Sequence, residues 1–524
     1  MKIKINLICE ATLCSAAFCA VSFLLFSKFG FGLADEGLLW YASQRTYAGE
    51  LAIRDFFAYD PGRYWWNSFF FFFADDTGLR NLLIAASAFG WLGLAASWYT
   101  LGAAKIGLPL RFLFGFIITI ALAYPRHKIY EQGLSLLLVS TIYFVLVAPA
   151  SIKRWFFFGC MTGIAAVFGR NHGVFFVVSA LLVAFYLLAG RKFKDATFVA
   201  GSYFSGIAVG YIPIIYFFVF DQKFRDAFIS SVLSVFDWQI PLPIPFFWRF
   251  DYSSGFGFGE FHTLMVGLVC VVVPVIYFFG FVRLFASAVY RKQDCSGVLL
   301  LGASSLAGIP YLHQAFDRAD FGHIAQSTLP AFIAIAAILS ISSGNWRQRL
   351  LPYTFSIFSL IVMFGAWFSA LPATHFLRAE HLNPGSVVRH KIGSADFFIH
   401  TYQDNVLKEV SRVFEKCNVS NNEFLALPHF PGVYAYLGTK APFWEMYYLY
   451  PRSVDFQLRH IEAIANVKAI LIAPDATVDG LERLKLKNTY GSLLDFIQNN
   501  YVKLNSSVLP KGIFIYVNPE VCGE

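Results

Sequence analysis

Charge is scarce in this chain. Asp, Glu, Lys and Arg make up 14% of its 524 residues, whereas a soluble domain carries about a quarter. With 57% hydrophobic and 19% aromatic residues, that shortage excludes an ordinary soluble protein and implies helices bathed in lipid. A basic stripe is missing too. The formal net charge is +8, but Lys and Arg are scattered in twos and threes between apolar runs, so nucleic acid is not an expected partner. No two of the eight cysteines stand at C-x-x-C spacing, which removes the usual zinc and redox motifs. Only Cys417 and Cys522 fall in the polar tail, as a disulfide or as separate thiols. No internal repeat is present, and the one biased tract, the Phe run 69–73, reads as apolar filling.

What the chain does have is a series of apolar stretches, at roughly 7–30, 80–104, 107–124, 134–150, 155–170, 173–190, 197–220, 262–290, 297–313, 324–343 and 350–371. They predict a polytopic α-helical membrane protein with about eleven spans. The fourth and fifth are shorter than the usual 17–25 residues. The N-terminus has the look of a signal peptide, but the run 7–29 exceeds an h-region of about 7–15 residues and reads as an uncleaved first membrane helix. Short basic connections at Lys153-Arg154, Arg191–Lys194, Arg291-Lys292 and Arg347–Arg349 fall on the side of Lys2 and Lys4, which the positive-inside rule makes cytoplasmic. The N-terminus is then cytoplasmic. The segments 31–79, 125–133, 221–261, 314–323 and everything after about 372 lie outside.

Residues 1–374 are read as a membrane domain and 375–524 as a soluble periplasmic one. The tail alternates a helix-like stretch 396–416, an apolar run 424–427, a helical pattern 454–466, a second run 469–472, another helical stretch 481–500 and a last run 513–516. That alternation predicts a small α/β domain.

Ionisable residues at a membrane boundary are costly to keep, so the outer segments are where chemistry is expected. The first opens with Asp35 and Glu36 at the exit of the first helix. Adjacent carboxylates repel unless a cation or proton is shared between them. Sugar transfer to a hydroxyl needs such a carboxylate to take the proton; the plainer role is a helix cap, Asp35 accepting from the amides of Gly37 and Leu38. The segment closes with Tyr59-Asp60-Pro61-Gly62-Arg63-Tyr64-Trp65-Trp66. Its aromatics suit an interfacial belt or a sugar platform, and Arg63 suits a phosphate, since a guanidinium is always charged and forks onto two oxygens.

The second outer segment carries Arg126, His127, Lys128 and Glu131, a basic excess that a phosphate leaving group or anionic headgroups would offset. Glu131 is the second acid, orienting the bases or joining Asp35 and Glu36 around Mg²⁺ or Mn²⁺. Arg170 lies at a polar break that is either a phosphate contact or an interfacial turn. Further on, Arg318, Asp320, His323 and Gln326 form a stripe entering the membrane, with Asp320 and His323 at i, i+3. The stripe can bind a metal or tune a proton acceptor, or Asp320 can simply pair with Arg318. In the tail, Pro428–Gly432 and Trp444-Glu445 read as turn and core, or as contacts to the acceptor.

An Asp-Glu pair after the first helix, an aromatic segment closing in Pro61-Gly62-Arg63-Tyr64-Trp65-Trp66, about eleven helices and an outer α/β tail together resemble the GT-C glycosyltransferases, in particular bacterial relatives of the protein mannosyltransferases and of the aminoarabinose transferases. The resemblance implies a sugar donor on polyprenyl phosphate and inversion at the anomeric carbon. It also implies a glycan, lipid or protein acceptor on the outer face of the inner membrane, with Asp35 as base, Glu36 positioning it and Glu131 as the second acid. One departure is Asp60-Pro61-Gly62-Arg63, where aminoarabinose enzymes carry a Lys-Pro-Pro-like segment, so donor and acceptor need not be shared. A flippase for lipid-linked sugars is the competing reading, although transporters usually keep their charges near the midplane and often repeat their halves. A scaffold presenting the tail would leave the polar first segment unexplained.

Overall fold

The computed structural model describes residues 2–190, 196–234, 240–250, 253, 255–290, 295–341 and 346–522. Before the tail's strands it runs through α1 (Lys2–Phe26), α2 (Asp35–Tyr47), α3 (Gly62–Ala74), α4 (Leu79–Ala103), α5 (Leu108–Leu122), α6 (Ile129–Val147), α7 (Ile152–Phe168) and α8 (Arg170–Ala189). It continues through α9 (Ala196–Gly210), α10 (Ile212–Phe220), α11 (Gln222–Leu233), α12 (Phe258–Val289), α13 (Ser296–Asp317), α14 (Phe321–Ile341), α15 (Trp346–Ala370) and α16 (Pro372–Leu382). Every one of the eleven expected spans contains helix.

Among the described residues eight helices are long and apolar enough to cross a membrane, nine if α9 and α10, bent by 64°, make one span. The shortfall is only partly where the sequence put it, since the fifth span, α7, is short as expected but the fourth is not. The fourth span is full length, because helix reaches back through Arg126; α5, with 15 residues, is the short one beside α7, with 17. The cause is polar sequence inside a helix: Tyr130, Glu131 and Gln132 are buried in the first turn of α6, so a hydropathy reading starts the span too late. Of the basic connections, 191–194 and 291–292 lie outside the described residues, as do the side chains of 347–349.

The chain divides into two compact units, one of Met1–Ser27, Leu83–Gln222 and Gln239–His375, the other of Lys28–Leu82, Lys223–Trp238 and Phe376–Glu524. In the first unit α7 and α9 cross at glycines. A Cβ on Gly159 would meet the Tyr203 carbonyl oxygen at 2.0 Å, and one on Gly206 the Phe156 carbonyl oxygen at 2.2 Å. Small residues four apart let the backbones touch, which is how helices associate where lipid removes the hydrophobic drive. A charge inside the bundle is matched: Glu10 of α1 takes Arg111 of α5 at 2.6 Å and the Trp98 indole of α4 at 2.9 Å.

In the second unit the tail opens with an antiparallel hairpin, β1 (Val387–Ile392) and β2 (Ala395–His400), with Val387 opposite His400. This corrects the expectation of helix from 396: helix α17 (Thr401–Lys416) begins only after the strand. The chain just before α2 joins this hairpin, since Gly30 N donates to Phe398 O and Phe398 N to Lys28 O, each at 2.8 Å. A four-stranded sheet follows, of β3 (Phe424–Leu427), β4 (Ala469–Ile472), β5 (Val502–Lys503) and β6 (Phe514–Val517) in the order β3-β4-β6-β5, with only β3 and β4 parallel. The expected apolar runs at 424–427, 469–472 and 513–516 are its three longer strands. Between them lie α18 (Pro431–Leu437), α19 (Val454–Ala463), α20 (Leu486–Thr489) and α21 (Gly491–Asn500), with α22 (Pro519–Cys522) at the end. Leu425, Leu427, Ile470 and Ile472 pack with Tyr490, Leu493 and Ile497 in the core. Cys417 and Cys522 form a disulfide.

Candidate functional site

Asp35 and Glu36 are the first two residues of α2, where the helix dipole favours negative charge. They diverge in role. Glu36 is buried, and its Oε2 accepts from Gly32 N at 2.9 Å, so it ties down the chain entering the helix. Asp35 keeps 47% of its side chain exposed. Its Oδ1 accepts from the Tyr447 hydroxyl at 2.7 Å, and His429 Nε2 lies 3.9 Å away. The N-cap position belongs to Ala34, which makes no side-chain cap.

The tail reaches Asp35 because α2 and α18 meet at two glycines. Gly432 N donates to Leu33 O at 2.8 Å, and a Cβ on Gly37 would stand 2.5 Å from both Gly432 Cα and N. Further along α2, Ala441 N donates to the Tyr41 hydroxyl at 3.0 Å, and Gln44 Nε2 reaches Ala435 O at 3.2 Å. The segment 53–57 closes the other side, with Trp444 Nε1 bonded to Ile53 O at 2.8 Å and Phe57 N to Trp444 O at 2.6 Å. Behind Tyr447, buried Glu445 takes Arg452; burial pushes its carboxyl up from the ordinary range, with Arg452 acting against the shift. Burial likewise pushes the Tyr447 phenol well up, and the Asp35 charge adds to the shift, so this hydroxyl remains a donor across working pH. Arg63 is buried, its guanidinium 5.3 Å from the centroid of the Tyr59 ring, while the hydroxyl of buried Tyr64 accepts from Tyr59 N at 3.0 Å.

The remaining expected residues belong to the first unit. Arg126, His127 and Lys128 form a half-buried 3₁₀ turn, with Arg126 Nη1 on Ser27 O at 3.1 Å. Glu131 is not in a loop, as expected, but buried in α6. The turn meets the 318–326 stripe: Tyr124 stacks on Phe321 with centroids 5.9 Å apart, and Lys128 is close enough for its charge to act on His323. Asp320 takes Arg318 Nε at 2.6 Å and His323 Nδ1 at 2.8 Å through Oδ2, and caps α14 by accepting from His323 N at 3.0 Å. Burial opposes its charge, but the hydrogen bonds and charges of His323 and Arg318 prevail and hold the carboxyl well below the usual range. The ion pair anticipated as the plain alternative is therefore present. Gln326 is buried, with its amide on Gly322 O at 3.3 Å. Arg170 opens α8, and nearby buried His172 pairs through Nδ1 with the Tyr311 hydroxyl at 3.0 Å.

Among the described residues no group of three or more His, Cys, Asp and Glu is arranged to hold a metal ion. Asp35 and Glu36, expected around Mg²⁺ or Mn²⁺ with Glu131, turn carboxylate oxygens to different protein partners, Tyr447 and Gly32.

The structure matches that of ArnT from Cupriavidus metallidurans in the apo state with a TM-score of 0.58, over 98% of each chain at 13% identity. The chain has the GT-C fold. ArnT bound to undecaprenyl phosphate matches at 0.57, over 97% of each chain at 12% identity. The Archaeoglobus fulgidus oligosaccharyltransferase tethered with an acceptor peptide matches at 0.47, with 98% of this chain and 74% of that one covered at 11% identity. No family model matches the chain, and no curated protein does.

The sequence reading named Asp35 as a candidate but not the tail residues that the structure places beside it, Tyr447 and His429. Tyr447 stands 412 residues away, and no spacing rule links the two. The one sequence signal is a pair of glycines beside the key positions, Gly37 after Asp35-Glu36 and Gly432 after Pro431.

Proposed function

We propose that the chain is an inverting membrane glycosyltransferase that moves a sugar from polyprenyl phosphate to a hydroxyl of a cell-envelope glycan, lipid or protein. The observation that carries the proposal is the half-exposed Asp35 carboxylate, fixed through Oδ1 by Tyr447 in a chain with the GT-C fold. Asp35 accepts the proton of the acceptor hydroxyl as its oxygen attacks the anomeric carbon. The bond from that carbon to the phosphate oxygen breaks, and polyprenyl phosphate leaves with the electron pair. A positioned base of this kind contributes roughly 10²–10⁴-fold.

Arg126, His127, Lys128 and Arg170 of the first unit, and separately Arg63 of the second, are each proposed as candidate phosphate contacts. Glu36 fixes the entry of α2, and Glu131 with the Arg318, Asp320, His323 and Gln326 stripe supports the basic turn. The undecaprenyl phosphate of the ArnT structure supports a lipid-phosphate donor. The proposed orientation is N-terminus cytoplasmic and tail periplasmic, in the inner membrane.

In cells carrying Asp35→Asn as the sole copy, the protein inserts normally and the modified glycan disappears from mass spectra, because an amide cannot take the proton. An unchanged spectrum overturns the proposal. Leaflet-resolved labelling separates it from a flippase: loss of a transferase strands lipid-linked sugar on the outer face, and loss of a flippase on the cytoplasmic face.

A further inference from the structure

The tail's contribution to Asp35 is more than packing. A carboxylate that serves as a base must be ionised before the acceptor arrives and aimed at one point. Tyr447 meets both needs: its hydroxyl donates to Oδ1 at 2.7 Å, and hydrogen bonding to the charged form favours that form. The phenol cannot swing away. It is buried, the His429 ring stands edge-on against it with centroids 4.2 Å apart at 87°, and Phe57 packs on it at 5.6 Å. Phe57 is itself tied to the tail by its amide on Trp444 O. Three separate pieces of sequence, around 35, 57 and 447, thus lock one hydrogen bond.

We propose that Tyr447, braced by His429, is the positioning residue of Asp35, so that the C-terminal domain completes the active site rather than only covering it. This rests on the reading of Asp35 as base. The titratable and charged groups around Asp35 are Tyr447, His429, the neighbouring Glu36, and Tyr59, whose phenol feels the Asp35 charge together with Tyr64, Tyr450 and Arg63. At 3.9 Å the His429 imidazole is beyond a direct hydrogen bond, so of these two tail side chains it is the phenol that donates to Asp35. Its removal raises the pH at which Asp35 ionises by about one unit, the equivalent of one hydrogen bond to a carboxylate.

The test reads Asp35 itself and needs no substrate. A carbodiimide adds only to a protonated carboxyl, so labelling the intact protein in detergent with a carbodiimide and glycine ethyl ester over a pH series, and measuring the Asp35 peptide by mass spectrometry, gives its midpoint. Tyr447→Phe, which keeps the ring and loses the hydroxyl, is expected to raise the midpoint by about one unit, and by the same single unit when both proteins also carry His429→Gln. Tyr434→Phe, which removes the hydroxyl that accepts from Ala426 N in the same unit, leaves it in place. An unmoved midpoint in Tyr447→Phe, or an equal rise in Tyr434→Phe, overturns the proposal. If the Tyr447→Phe midpoint moves while Asp35→Asn still transfers sugar, the positioning stands and the assignment of Asp35 as base falls.

Discussion

Gly37→Ala is the sharpest perturbation the fold allows short of touching the site. The new Cβ would lie 2.5 Å from Gly432 Cα and N and 3.1 Å from Gly32 O, where ordinary contact begins at 3.4 Å. The obstacle is backbone, not a side-chain end that can rotate, so α2 and α18 must part by roughly 1 Å, at an overpacking cost of about 1–3 kcal/mol. The same movement stretches the 2.7 Å bond between Tyr447 and Asp35 beyond hydrogen-bond range. We expect the variant to insert and fold, with a midpoint of urea unfolding lowered in line with that cost and sugar transfer reduced at least about tenfold, since an ångström of misplacement costs about a hundredfold in favourable cases. Gly201→Ala on α9 is the control, because a Cβ there meets nothing within 4 Å. Equal transfer and equal stability in the two variants would refute the reasoning.

Other perturbations test the second unit and the stripe. Arg452→Met leaves the Glu445 carboxylate buried without its cation, with only the Tyr490 hydroxyl and Tyr447 N still near it, which costs about 3–5 kcal/mol. Burial holds the Glu445 carboxyl above its ordinary range and loss of Arg452 raises it further, so in denaturant titrations the loss is full where the carboxyl is ionised, fades as pH falls through that raised value, and is gone by the unfolded value of about 4.3. Cys522→Ser opens a disulfide that spans 105 residues and should lower the tail's unfolding free energy by about 2–5 kcal/mol. Asp320→Asn weakens the cap of α14 and the Arg318 pair, for about 1 kcal/mol. Because Asp320 is held below the usual carboxylate range, its contribution is complete above the unfolded value of about 3.9 and is lost at lower pH. Wild type and variant should therefore converge in acid.

The membrane spans were legible because an apolar run is all that a span requires, and each expected run holds a helix. Boundaries were misjudged where polar residues are buried inside a helix, as at Glu131 and Gln132. The strand 395–400 was read as helix because it runs directly into α17, and only its pairing with 387–392 defines it. At the site, Asp35 was legible from its place after the first apolar run. Its partners were not, since Tyr447 and His429 reach it through a glycine contact between α2 and α18 that no local pattern encodes. The surroundings of Arg63 were not legible either: it is buried, with its guanidinium over the Tyr59 ring.

The claim that Asp35 is the base is tested most directly by single-turnover transfer from a radiolabelled polyprenyl-phosphate sugar, with the purified full chain in nanodiscs and membrane glycolipid as acceptor. For Asp35→Asn the account predicts a rate lowered by about 10²–10⁴-fold with binding of the lipid phosphate unchanged. A rate within about tenfold of wild type, below what a general base contributes, would contradict it.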